Sequence, residues 1–158
     1  MPPPCTSPVE EYRLEDAEVV LTAYGISARI CKSAVELLRA QGVKAGLIRP
    51  ITVHPFPYAA YDHIDYSKVK AVLDVEMSIP AQFVDDVAVA VKDRCLIETC
   101  LCSGGNIMSR DKVLAAVKKI MEGKEDGKDL RKNKNHPGGQ GLRLLPRLYA
   151  LHRHQAHR

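Results

Sequence analysis

Four short stretches of this 158-residue chain, AYGIS, IRPITVHPFP, VEMSIPAQ and LCSGGN, each follow an apolar run. Together they carry Tyr24, Gly25, Ser27, Arg49, Glu76, Ser78, Gly104 and Gly105. A phenol, two hydroxyls, a guanidinium and a carboxylate on one rim could hold an anionic ligand or dock another surface. Arg49 ends a buried run just before Pro50, so its fork is positioned for a carboxylate or phosphate. The plainer reading has Arg49 and Glu76 pairing with each other across the rim, while the glycines only permit tight turns.

Other chemistry finds less support. A dinucleotide site needs G-x-G-x-x-G with an acid about twenty positions on, and only Gly25 stands in the first turn. Cys95, Cys100 and Cys102 form C-x4-C-x-C, without the C-x2-C spacing of zinc or iron–sulfur sites. Cys95 and Cys100 flank an apolar run, where cysteine acts as a small hydrophobe. His54 has no evident carboxylate or nucleophile to work with. His152, His154 and His157 have no fixed geometry for a metal. Nothing in the sequence assembles a triad or a paired-carboxylate site.

The elements that would position the rim follow from pattern. Ala17–Ala23, Val43–Arg49, Lys70–Glu76 and Cys95–Cys100 are near-continuous apolar runs, as expected of strands covered on both faces. Between them lie helical patterns. One is capped by Ser27, carries Ile30, Ala34, Leu37 and Leu38, and ends at Gly42. A short one covers Tyr58–Ile64, and another Gln82–Lys92 with Phe83, Val87 and Val91 on one side. The last, Arg110–Met121, is capped by Ser109. The alternation predicts an α/β fold: an open, mostly parallel twisted sheet with helices on both faces. In such sheets ligands sit beyond the carboxyl ends of the strands, where these stretches fall.

Three regions are expected: a proline-rich connector over 1–16, the α/β domain over 17–123, and a basic, disordered tail over 124–158. The net charge of +4 belongs to that tail. Residues 1–123 hold 14 basic and 16 acidic side chains, and residues 124–158 hold 9 and 3. Without an ordered set of stacking aromatics, the basic tail does not predict nucleic-acid binding. No apolar run approaches the roughly 18 residues of a membrane span, and the N-terminus lacks the order of a secretory signal. Five cysteines without an export signal read as reduced thiols. The expected compartment is the cytoplasm.

In combination, EEYRLEDAEVVLTAYGISARICKSAVELLRAQGVKAGLIRPITVHPFP, VLDVEMS and the later GG before the last helix are specific. They resemble the transketolase C-terminal-like domain in the alpha subunit of 2-oxoacid:ferredoxin oxidoreductases, of the 2-oxoisovalerate or 2-oxoglutarate type. The resemblance covers about Glu10 to Met121, and departs from the family at Ala81, where glycine is usual. It implies an enzyme complex that converts a 2-oxoacid and coenzyme A to acyl-CoA and carbon dioxide and reduces ferredoxin. It also implies thiamine diphosphate, magnesium and iron–sulfur clusters at the level of the complex, and thiamine-binding beta and gamma subunits as partners. In the family's alpha subunit a larger domain precedes this one. The Gly-Asp-Gly start of the thiamine diphosphate motif does not occur here in context, so this chain is expected to bind no cofactor and carry no catalytic residue. Two functions stay open: a non-catalytic packing part of such an oxidoreductase, or a free-standing module that binds a small acidic metabolite through Arg49 and the AYGIS turn.

Overall fold

The computed structural model describes residues 7–123. The expected tail, with His152, His154 and His157, lies outside the described residues. The element order is β1 (Val9–Tyr12), β2 (Val19–Thr22), α1 (Gly25–Ala40), β3 (Ala45–Pro50), η1 (a 3-10 helix, Tyr58–His63), β4 (Ala71–Glu76), α2 (Phe83–Val91), β5 (Leu96–Leu101) and α3 (Arg110–Met121). One five-stranded sheet runs β1-β3-β2-β4-β5. Strands β3, β2, β4 and β5 are parallel, and β1 joins antiparallel at the edge.

Alternation along the strands divides the core. Val19, Leu21, Leu47, Leu73 and Val75 face Cys31, Val35 and Leu38 of α1 and Val113 and Val117 of α3. Val20, Ile48 and Val72 face the other way, against Tyr61 of η1 and Phe83, Val87 and Val91 of α2. Both faces of the central strands are therefore dry, which is why β2 and β4 are buried at every position. The expected architecture holds, with helices on both faces.

Three local features differ from the sequence expectation. The segment taken as connector supplies strand β1, with Val9 opposite Pro50 and Tyr12 opposite Leu47. Its acidic side chains hid it: an edge strand needs few apolar residues when ion pairs hold it. Glu10 reaches Lys32 and Arg49, and Arg13 pairs with Glu36. Pro50 is the last residue of β3 rather than the residue beyond it, acceptable at a strand end where a lost donor costs little. Ser27 does not cap α1; Tyr24 holds the cap position with no side-chain hydrogen bond, and Ser27 is buried inside the first turn. Ser109 does cap α3, accepting from the Lys112 amide at 3.2 Å.

Gly46 is fixed by close approach. A Cβ there would lie 2.7 Å from the Arg13 carbonyl oxygen, where the chain between β1 and β2 crosses β3.

Candidate functional site

The chain leaves β2 for β3 on one side and later returns to β4 on the other. The carboxyl ends of β2 and β4 therefore flank the switch point at which open α/β sheets bind their ligands. Tyr24, Gly25 and Ser27 come from the β2 side, and Glu76 and Ser78 from the β4 side. Gly104 and Gly105 follow β5, next to β4, and Arg49 lies at the end of β3. These strand ends lie along one edge of the sheet, and Arg49, Glu76 and Ser78 have partners within the domain.

Arg49 and Glu76 do not pair. Strand β2 lies between theirs, and the two side chains leave opposite faces of the sheet. Arg49 Nη1 donates to Glu10 Oε2 at 3.0 Å. Glu76 is fully buried, and its carboxylate accepts from the amides of Gln82 at 2.9 Å and Phe83 at 3.1 Å. It thus holds the start of α2, where a negative group is favoured by the helix dipole. Ser78 Oγ donates to the Pro80 carbonyl at 2.7 Å, closing its own turn. Gly25, Gly104 and Gly105 have φ of 57°, 72° and 78°, left-handed backbone that suits glycine. Tyr24 packs on Phe83 with ring centroids 5.1 Å apart, and burial, with Glu76 and Asp74 nearby, raises its phenol.

Beneath this surface lies a polar layer that the sequence reading passed over. Thr22 and Asp74 are register partners on β2 and β4, and both are fully buried. The Thr22 and Tyr61 hydroxyls share a hydrogen bond of 2.5 Å. Neither oxygen of Asp74 has a donor among the described residues. Two positions along the same strand face is Glu76, and a proton on Asp74 can be donated toward its carboxylate. Burial away from water, then the Glu76 charge and that hydrogen bond, push the Asp74 acid up to about 9. The available signal was the lone acid inside the apolar run AVLDVE.

The donor set does not fit a thiamine diphosphate and its magnesium. The crevice floor is an acid pair, and beyond the strand ends residues 23–27, 51–57, 77–82 and 102–109 contain no Lys or Arg to meet a diphosphate, while Arg49 is held by Glu10. No group of three His, Cys, Asp or Glu side chains that could hold a metal occurs among the described residues. The cysteines are split between the faces of the sheet. Cys100 and Cys102 lie in the α1/α3 core, and Cys95 packs against the α2/η1 core. Cys102 Sγ donates to the Asn106 carbonyl at 3.2 Å, and burial raises the Cys31 and Cys100 thiols. Cys31 and Cys100 are therefore inert, protonated thiols. A hollow of about 370 Å³ lies between α1 and α3, lined by Arg29, Ile30, Ser33, Arg110 and Asp111.

What the rim does present is apolar surface. Tyr24 and Ile26 after β2, and Ile51 and Val53 after β3, are exposed. So are Met77 and Ile79 after β4, and Ile107 after β5. No helix among the described residues is long and apolar enough to cross a membrane.

Residues 17–113 match the family described as pyruvate:ferredoxin oxidoreductase core domain II. The chain belongs to this family. Among its relatives, the ketoisovalerate oxidoreductase subunit VorB of Methanothermobacter marburgensis is 41% identical over 111 residues, covering 70% of this chain and 31% of VorB. The 2-oxoglutarate synthase subunit KorA of Methanocaldococcus jannaschii is 44% identical over 64 residues, covering 40% of this chain and 17% of KorA. The chain thus spans about a third of VorB's length. Solved structures agree on the fold. A 2-oxoglutarate:ferredoxin oxidoreductase from Magnetococcus marinus superposes with a TM-score of 0.64 at 21% identity, over 72% of this chain and 20% of that one. A split-gene transketolase, an inactive beta4 tetramer, gives 0.61 at 18% identity, over 74% and 42%. This core domain II therefore has the transketolase C-terminal-like fold that its motifs implied.

Proposed function

We propose that this core domain II is a non-catalytic part of the alpha subunit of a thiamine-dependent 2-oxoacid:ferredoxin oxidoreductase. The complex would convert a 2-oxoacid and coenzyme A to acyl-CoA and carbon dioxide while reducing ferredoxin. The domain's part is to pack against the thiamine-binding and gamma subunits and to bound the active-site region. The family match over residues 17–113 supports the assignment. The observation that carries the division of labour is the rim itself. Glu76, Ser78 and Arg49, the polar groups best placed for chemistry, are engaged within the domain. The large side chains left exposed there, such as Ile26, Ile51, Ile79 and Ile107, are apolar and suited to packing, beside the smaller polar His54, Ser103 and Asn106. The thiamine diphosphate, magnesium and iron–sulfur clusters belong to the partner polypeptides in this reading.

Co-expression with a thiamine-binding beta subunit and a gamma subunit tests it. The expected result is co-purification and 2-oxoacid-dependent viologen reduction by the assembly, with none from the chain alone. Substrate-dependent viologen reduction by the isolated chain, supplied with thiamine diphosphate, magnesium and coenzyme A, overturns the non-catalytic role.

A further inference from the structure

The two edges of the sheet differ in composition far more than a solvated domain requires. Of the seven large apolar side chains exposed among the described residues, six lie in the four loops that follow the parallel strands, and Ile26 lies beside them in the first turn of α1. The segments 23–27 (which includes the first residues of α1), 51–57, 77–82 and 102–109 contain no Asp, Glu, Lys or Arg, in a chain where these types make up 27%. Surface loops are ordinarily polar. At the opposite edge the connections are charged, with Arg13, Asp16, Lys44, Lys68, Lys92 and Arg94 among them. Loss of charge together with exposed Ile, Met and Tyr is the composition of the buried centre of a protein interface, and a contiguous apolar patch on a soluble domain marks one.

The path of the chain says what covers it. Strand β1 is antiparallel, so it begins at the carboxyl edge: Val9 lies opposite Pro50, and the Ile51 amide donates to the Pro8 carbonyl at 3.0 Å. Polypeptide joined ahead of Pro8 therefore arrives beside Ile51, on the apolar rim. Helix α3 starts from the rim and runs back, so polypeptide joined after Gly123 departs from the charged edge. VorB has more than two thirds of its length outside the segment matched here.

From these observations we infer that the carboxyl edge is a permanently covered interface. Its occupant is an uncharged, apolar protein surface on the part of a VorB-type subunit outside the matched segment. Ile26, Ile51, Ile79 and Ile107 are the anchors. This rests on the oxidoreductase reading for the partner's identity, and on the geometry alone for the face.

The test uses the full 158-residue chain, tagged, and the part of Methanothermobacter marburgensis VorB outside the matched segment as the probe. The wild-type chain is expected to retain the probe on a column. Ile26→Glu combined with Ile79→Glu should weaken retention at least tenfold, and Ile107→Glu should weaken it independently. Lys44→Glu, on the charged edge, should leave it unchanged. The rim positions are half or more exposed, so the variants should keep the wild-type circular dichroism melt. Equal retention by the rim variants overturns the assignment of the face and leaves the family reading intact. No retention by folded wild-type chain overturns the choice of partner. A wild-type homodimer that the rim variants break assigns the face to a second copy and also overturns the proposal.

Discussion

Replacing Asp74 by Asn should flatten the pH dependence of this domain's stability. Asp74 is fully buried on β4, lacks any N–H donor among the described residues, and can donate a proton toward Glu76. Its acid ionises near the ordinary 3.8 in the unfolded chain and at about 9 in the folded one. Between those values the folded state binds one more proton than the unfolded state. Stability therefore falls as pH rises, by about 1.4 kcal/mol per pH unit. From pH 5 to pH 8 the loss attributable to Asp74 is about 4 kcal/mol, a large share of the roughly 5–15 kcal/mol that a domain has. Asn keeps the shape and a donor for Glu76 but cannot ionise. Urea unfolding of both proteins at pH 5, 6, 7 and 8 measures the difference. With a slope of roughly 1–3 kcal/mol per molar urea, the midpoint of the wild type should drop against that of the variant by more than about 1 M across the series. Other titrating groups contribute equally to both proteins, so parallel curves would refute a protonated Asp74.

Other outcomes follow from the same geometry. Gly46→Ala should destabilise by about 1–3 kcal/mol, because its Cβ meets the Arg13 backbone oxygen at 2.7 Å; denaturant melts report it, and a neutral change would mean the crossover can shift. Glu76→Ala should cost about 1–3 kcal/mol by orphaning the Gln82 and Phe83 amides, with faster amide exchange at those two positions as its signature. The Arg49–Glu10 pair is partly exposed, so a double-mutant cycle with Arg49→Ala and Glu10→Ala should give a coupling of about 0–1 kcal/mol; a value above 2 would make it a structural keystone. Truncation after Gly123 should leave cooperative unfolding intact and move the melting temperature by only a few degrees; loss of cooperativity would assign the tail to the domain's core.

The sequence by itself determined the order and type of the central elements. Near-continuous apolar runs such as KAVLDVE are selected by burial on both faces, and that constraint acts residue by residue, so it is legible without neighbours. Helix α3 was readable to its ends because Ser109 and the spacing of Val113 and Val117 are local signals. The residues of the AYGIS, VEMS and SGG turns were also legible as turn and rim positions, since left-handed glycines and strand ends are local.

What only the tertiary structure decided was partnership. Strand β1 exists because Glu10, Tyr12 and Arg13 find Lys32, Arg49 and Glu36 far along the chain, and no pattern within VEEYRLED reports that. Arg49 and Glu76 looked like a pair when strand order was unknown; with β2 between them and opposite faces of the sheet, they cannot meet. Asp74 became conspicuous only when the fold removed water and donors from around it. The rim's missing charges are scattered over four separate segments in sequence, and they became one surface when parallel pairing brought four strand ends to the same edge.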